Sequence, residues 1–141
     1  MDIKVEGFYT ENSEYYQFGL NLRQEIFVDE YGFDKHLEFD GRDKEATHYI
    51  VLLDGIPVAY ARWIDDGSKI RIDRFGVAKE FRSQGFGLLL VKFVKKEVLP
   101  SKKIIELLSV SESVVFFIQQ GFKDSNKFDE SMKKRLHVLN L

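Results

Sequence analysis

The chain has 141 residues, 44% of them hydrophobic and 31% charged, with a formal net charge of −2 and no cysteine. That length suits one domain with its own core, spanning 1–141, and the residue balance is that of a globular protein. Lack of cysteine excludes disulfides, thiol catalysis and thiolate metal sites and fits a reducing, cytoplasmic setting, while the slight acidic excess gives no pull toward nucleic acid. No apolar run nears the ~20 residues of a membrane span, and MDIKVEGFYT lacks the apolar segment of a signal peptide, so no membrane partner is expected.

Ile3 to Phe8 alternates apolar and polar residues and predicts a strand. Asn12-Ser13 offers an N-cap for a helix running to Val28, with Tyr16, Leu20, Ile26 and Phe27 near helical spacing. Asp29 to Lys44 is polar and acidic and reads as a loop with room for a short helix. Thr47 to Leu53 and Ile56 to Ile64 read as a hairpin closed at Asp54-Gly55, and Lys69 to Val77 follows as the third strand of a meander. Gly87 to Val98 carries a wide apolar face and ends before Pro100. Ile104 to Ser109 predicts a buried strand. Ser111 is placed to cap a helix over Glu112 to Gln120, with Gly121 as its stop. The tail predicts two strands, Gly121 to Phe128 and Arg135 to Leu141, around a turn near Asp129-Glu130-Ser131. The apolar strand Leu136-His137-Val138-Leu139 near the terminus would offer an edge for pairing across a homodimer.

Between the meander and the apolar helix lies Arg82-Ser83-Gln84-Gly85-Phe86-Gly87. Unpaired N–H groups at a helix start, reinforced by the helix dipole, suit an anion, and the glycines let backbone approach a ligand closely. The pattern is neither GxxxxGK[ST] nor GxGxxG, so a P-loop NTPase and a Rossmann fold are unsupported.

With the meander before it, the helix after it and Phe116-Phe117-Ile118-Gln119-Gln120-Gly121-Phe122 later, the loop resembles that of the Gcn5-related N-acetyltransferase (GNAT) superfamily. The loop matches the family pattern Q/R-x-x-G-x-G/A, and the later stretch resembles F-Y-x-x-x-G-F. LRQEIFVDEYGF and LEFDGRDKEATHYIV also look like a bacterial subgroup with an L-R-x-x-V-F-x-x-E segment and a following E-x-D. More distantly, that half resembles acyl-homoserine-lactone synthases. The resemblance implies an α/β (α+β) fold with a mixed, mainly antiparallel central sheet of about seven strands flanked by helices. It also implies an acetyl-CoA-dependent N-acetyltransferase in which a small, cationic amine attacks directly in a ternary complex, with no metal. A non-enzymatic CoA or acyl-CoA binding module is the alternative.

By the same resemblance, Arg82, Ser83, Gln84, Gly85, Phe86, Gly87 and Leu88 would hold the pyrophosphate. Phe75 and Val77 would pair with the pantetheine arm, and Phe117 would border the thioester. Strand alternation puts Arg71, Asp73, Phe75 and Val77 on one face, making Asp73 a candidate base; an ion pair with Arg71 or Arg74 is the competing reading. Glu38, Asp40 and Asp43 form a second acidic group, which would favour a cationic acceptor or simply be a solvated loop. His48 reads as structural. The family's acid tyrosine aligns with Phe117, which has no proton to give, leaving Tyr31, Ser111 or water as the acid.

Overall fold

A computed structural model describes residues 1–11 and 13–141; the Asn12-Ser13 cap falls outside the described residues. Among the described residues, seven strands form one sheet in the order β1-β2-β3-β4-β5-β7-β6. They are β1 Ile3–Phe8, β2 Ala46–Leu53, β3 Ile56–Asp65, β4 Lys69–Val77, β5 Ile104–Ser109, β6 Lys123–Asp129 and β7 Leu136–Asn140. Every pairing is antiparallel except that of β4 with β5. The mixed, mainly antiparallel sheet with helices on both faces agrees with the sequence reading. Among the described residues, no helix is long and apolar enough to cross a membrane.

The apolar stripe of α3, Phe86–Val98, buries Leu90, Val91, Val94 and Val98 on one sheet face, where Phe117 of α4, Val114–Gln119, joins them. On the other face α1, Ser13–Arg23, packs with the segment that follows it around Phe8, Leu22, Ile26, Phe27, Ile50 and Tyr60. Residues Gln24–Glu30 do not continue α1 but widen into a π-helix, with the Tyr31 N–H bonded to the Ile26 carbonyl at 3.0 Å. The wider turn presses Ile26 and Phe27 against Gly76, where an added Cβ would lie 3.1 Å from Phe27 and 3.2 Å from Ile26. The predicted loop after it holds α2, Lys35–Glu38, capped by the Asp34 side chain, which accepts from the His36 N–H.

Two expectations need correction. Leu136-His137-Val138-Leu139 is not an edge: β7 pairs with β5 on one side and β6 on the other, so it has no free ladder edge to pair across a homodimer. The alternation along β4 is also broken. Tyr60 pairs with Gly76 and Arg62 with Asp73, so one residue of β3 faces two of β4. The extra residue is Arg74, whose φ of 50° marks a β-bulge. Ile70 and Ile72 point to the α3 face, and after the bulge so do Phe75 and Val77. Asp73 therefore lies on the opposite face from Phe75 and Val77.

Candidate active site

Pairing of β4 with β5 runs from Lys69 and Ile104 to Ile72 and Leu107 and stops there. Beyond it the strands diverge, and a cleft of about 610 Å³ opens between the end of β4 and Val110. One ladder edge of β4 is held by β3; the edge facing the cleft has no strand partner and presents backbone donors and acceptors.

The glycine loop closes one end of the cleft. Gly85 takes the left-handed conformation at the N-cap of α3, with φ of 91°, and no side chain caps the helix. Its first-turn N–H groups are left to a ligand, and no acidic residue lies in that turn to oppose an anion. Ser83, Gly85, Phe86, Gly87 and Leu88 line the cleft, as do Phe75, Val77 and Phe117. Gln84 does not; its side-chain amide donates to the Glu80 carbonyl at 3.2 Å.

Arg82 lines the cleft in a fixed pose. Its Nε donates to the Val77 carbonyl at 2.9 Å, and its two terminal nitrogens each donate to Glu30 at 2.6 Å. The guanidinium also sits 5.7 Å from the Tyr31 ring centre. Three of its five N–H groups are thus engaged and two remain. Hydrogen bonding to Arg82 holds the Glu30 carboxyl below its ordinary value. Sequence reasoning missed Glu30; its signal was its place as the last residue of the LRQEIFVDE segment.

Tyr31, half-buried, lines the cleft beside Arg82. Burial pushes its phenol up, with the Arg82 charge opposing, so the hydroxyl keeps its proton at neutral pH. Tyr31, Val110 and Glu112 also line a second pocket of about 170 Å³, walled by Phe33, Ser111, Lys134 and Arg135. The two pockets are therefore neighbours with a shared wall.

Asp73 and Glu38 lie elsewhere. Neither lines the cleft or the second pocket; Asp73 instead borders a space of about 20 Å³ beside Phe75 and Val110 and a pocket beside Arg71. Asp73 accepts from Arg62 Nε at 2.8 Å, Arg62 Nη2 at 2.9 Å and Arg74 Nη1 at 3.0 Å. Burial raises its carboxyl, but the Arg62 hydrogen bonds and charge outweigh it and hold the group below its ordinary value. Glu38, fully buried, accepts from Arg23 at 2.7 Å and Arg74 at 3.2 Å. Burial raises its carboxyl, with Arg74 and Arg23 opposing.

Asp40 and Asp43 complete the same cluster through Arg62 and Arg23. Four carboxylates thus meet three guanidiniums, and the acidic loop of the sequence is neutralised instead of facing an acceptor. Arg71, the competing partner for Asp73, pairs instead with Glu106 and Asp129. His48 is buried beneath the cluster between the Tyr60 hydroxyl and the Asp43 carbonyl, a structural position.

A seven-stranded sheet splayed beside a glycine-capped helix start defines a class of acyl-CoA-using transferases. The profile of the acetyltransferase (GNAT) domain matches residues 10–136, and the chain belongs to that family. It is 25% identical over 120 residues to the uncharacterized N-acetyltransferase YjcF of Bacillus subtilis (strain 168), covering 84% of this chain and 86% of that one. Its fold matches Escherichia coli ElaA with a TM-score of 0.83 at 21% identity, over 99% of this chain and 100% of that one. The PaiA N-acetyltransferase of Thermoplasma acidophilum, solved in complex with coenzyme A, matches with a TM-score of 0.72 at 14% identity, over 99% and 98% of the two chains.

Proposed function

We propose that the chain, working as one domain over 1–141, is an acetyl-CoA-dependent N-acetyltransferase that acetylates a small amine by direct attack in a ternary complex. The observation that carries this is the pair of adjoining pockets with Tyr31, Val110 and Glu112 as their common wall. Two substrates can occupy them side by side, with no need for an acyl group to wait on the protein.

The donor fits the larger cleft on its own features: a helix start free of side-chain caps for the pyrophosphate, and an unpaired strand edge for the pantetheine arm. Bound there, acetyl-CoA supplies an acetyl thioester. Ser83, Gly85, Phe86, Gly87 and Leu88 hold its phosphates, with the two spare N–H groups of Arg82. Backbone at Phe75 and Val77 aligns the arm, and Phe117 packs edge-on against Phe75 with ring centres 5.1 Å apart, giving the acyl end an apolar floor.

Tyr31 takes the role of acid left vacant at Phe117, because its phenol keeps its proton and lies at the junction of the two pockets. The amine is cationic as it arrives, and Glu112 at the junction attracts it. Lys134 and Arg135 on the far wall favour an acceptor that also carries an anionic group and disfavour polycations. Absence of cysteine is compatible with a cytoplasmic setting.

The test is a free-thiol release assay with acetyl-CoA over a panel of amines, run beside calorimetric titration of acetyl-CoA. Turnover is expected, with zwitterionic amines ahead of polyamines. Tight acetyl-CoA binding without thiol release for any acceptor would support a non-enzymatic acyl-CoA sensor, the reading that Phe117 keeps open.

A further inference from the structure

An ammonium must lose a proton before its nitrogen can attack, and the buried acids near this site are committed to arginines. Asp73 and Glu38 are held by Arg62, Arg74 and Arg23. The second pocket carries a different set of groups. Ser111 is not the helix cap that its sequence position suggests: the helical turn it begins, Ser111–Ser113, has no side-chain cap bond. Its hydroxyl instead meets His137 Nε2 at 3.1 Å.

On the far side of that imidazole, Nδ1 is buried with no hydrogen bond among the described residues, and Asp124 Oδ2 stands 3.8 Å away. A carboxylate beside Nδ1 favours the proton on that nitrogen, which leaves Nε2 free to accept from the Ser111 hydroxyl. The imidazole is fixed by the sheet, since β7 pairs His137 with Ser109 of β5 and with Phe128 of β6, whose ring lies 4.8 Å from it. Ser111 itself sits between Val110 and Glu112, two of the three residues that line both pockets.

We propose that Ser111, His137 and Asp124 form a proton relay that deprotonates the acceptor amine. The proposal rests on reading the two pockets as an acyl-transfer site. Ser111 Oγ takes a proton from the ammonium as its own hydroxyl proton moves to His137 Nε2, and Asp124 stabilises the imidazolium. The freed lone pair forms the N–C bond to the acetyl carbon, and the C–S bond breaks with its electron pair on sulfur. Tyr31 protonates that thiolate and recovers its proton from the one the nitrogen sheds as the amide forms. The proton on His137 passes to solvent, so one amide, one thiol and one released proton balance one ammonium and one thioester. Ser111 is the catalytic residue; His137 and Asp124 are positioning residues that act through it.

The test compares two acceptors at neutral pH: an aliphatic primary amine, which arrives as the ammonium, and acetohydrazide, which arrives neutral. Ser111→Ala and His137→Gln are expected to lower kcat for the aliphatic amine by about 10²-fold, the scale of general base catalysis. For acetohydrazide the loss should be small, and Ser111→Thr should restore the amine reaction. Acetyl-CoA affinity, measured by titration, reports folding of each variant and should be unchanged. Equal losses with both acceptors would overturn the relay, as would a loss with Glu112→Gln alone that spares Ser111→Ala. No thiol release by the wild-type protein with either acceptor would instead overturn the acyl-transfer reading and the relay with it.

Discussion

Changing Asp73 to asparagine separates a structural carboxylate from a catalytic one. Asp73 accepts three hydrogen bonds from Arg62 and Arg74 at 2.8 to 3.0 Å, with its side chain 8% exposed. Hydrogen bonds to charged groups contribute about 1.5–3 kcal/mol each, and removing one member of a buried ion pair costs about 3–5 kcal/mol. Asparagine keeps one acceptor oxygen but turns an N–H toward a guanidinium that also offers N–H. The cluster's excess of four carboxylates over three guanidiniums disappears, which softens the loss. Asp73→Asn is therefore expected at the low end, about 3 kcal/mol, or about 10 °C in Tm for a chain of this size. Urea unfolding followed by the fluorescence of Trp63 reads the stability. Turnover per folded molecule should stay within about threefold, because nothing at the junction of the pockets moves with a charge-only change across the sheet. An Asp73→Asn protein with wild-type stability and a kcat reduced about 10³-fold for a basic amine would refute this and return Asp73 to the role of base.

Tyr31→Phe should lower kcat about 10- to 100-fold with little change in acetyl-CoA affinity, and adding Phe117→Tyr should recover part of the loss; unchanged kcat would remove Tyr31 as the acid. Arg82→Ala should raise the KM for acetyl-CoA about 10-fold or more, an effect that shrinks in high salt as the phosphate contact is screened. Gly76→Ala should destabilise by about 1–3 kcal/mol, because its Cβ enters the space of Phe27 and Ile26; calorimetry would show a lower Tm. Burial lowers the His48 imidazole below its ordinary 6.5. The unfolded chain therefore takes up its proton first on acidification, and stability falls once the pH drops below that value. The slope contributed by this one group approaches about 1.4 kcal/mol per pH unit, above 6.5 it contributes none, and His48→Asn should flatten it in pH-dependent urea melts.

Much of the fold is legible in the chain because its signals are local. The Asp54-Gly55 turn, the alternation of Thr47 to Leu53 and the apolar stripe before Pro100 each act within a few residues. The glycine loop is legible for the same reason: Gly85 allows the left-handed backbone conformation at the helix start whatever surrounds it. Where the reading failed, the cause lay at a distance. Arg23, Arg62 and Arg74 come from α1, β3 and β4, and nothing in the spacing of Glu38, Asp40 and Asp43 announces that these cations will converge on them. Leu136 to Leu139 looks like a terminal edge because it comes last, yet β7 inserts between β5 and β6.

The order of elements, the phosphate-type loop and the lack of a hydroxyl at Phe117 are all written in local residue patterns. Which acids face the cleft depends instead on contacts between distant segments. A bulge at Arg74, an arginine at φ 50° with no turn residue to mark it, reverses the face of every later residue in β4. Asp73, just before the bulge, stays on the face of the arginines, while Phe75, just after it, turns to the cleft. The reversal is held by packing and ion pairs on both sides of the sheet, interactions that exist only once distant segments have met.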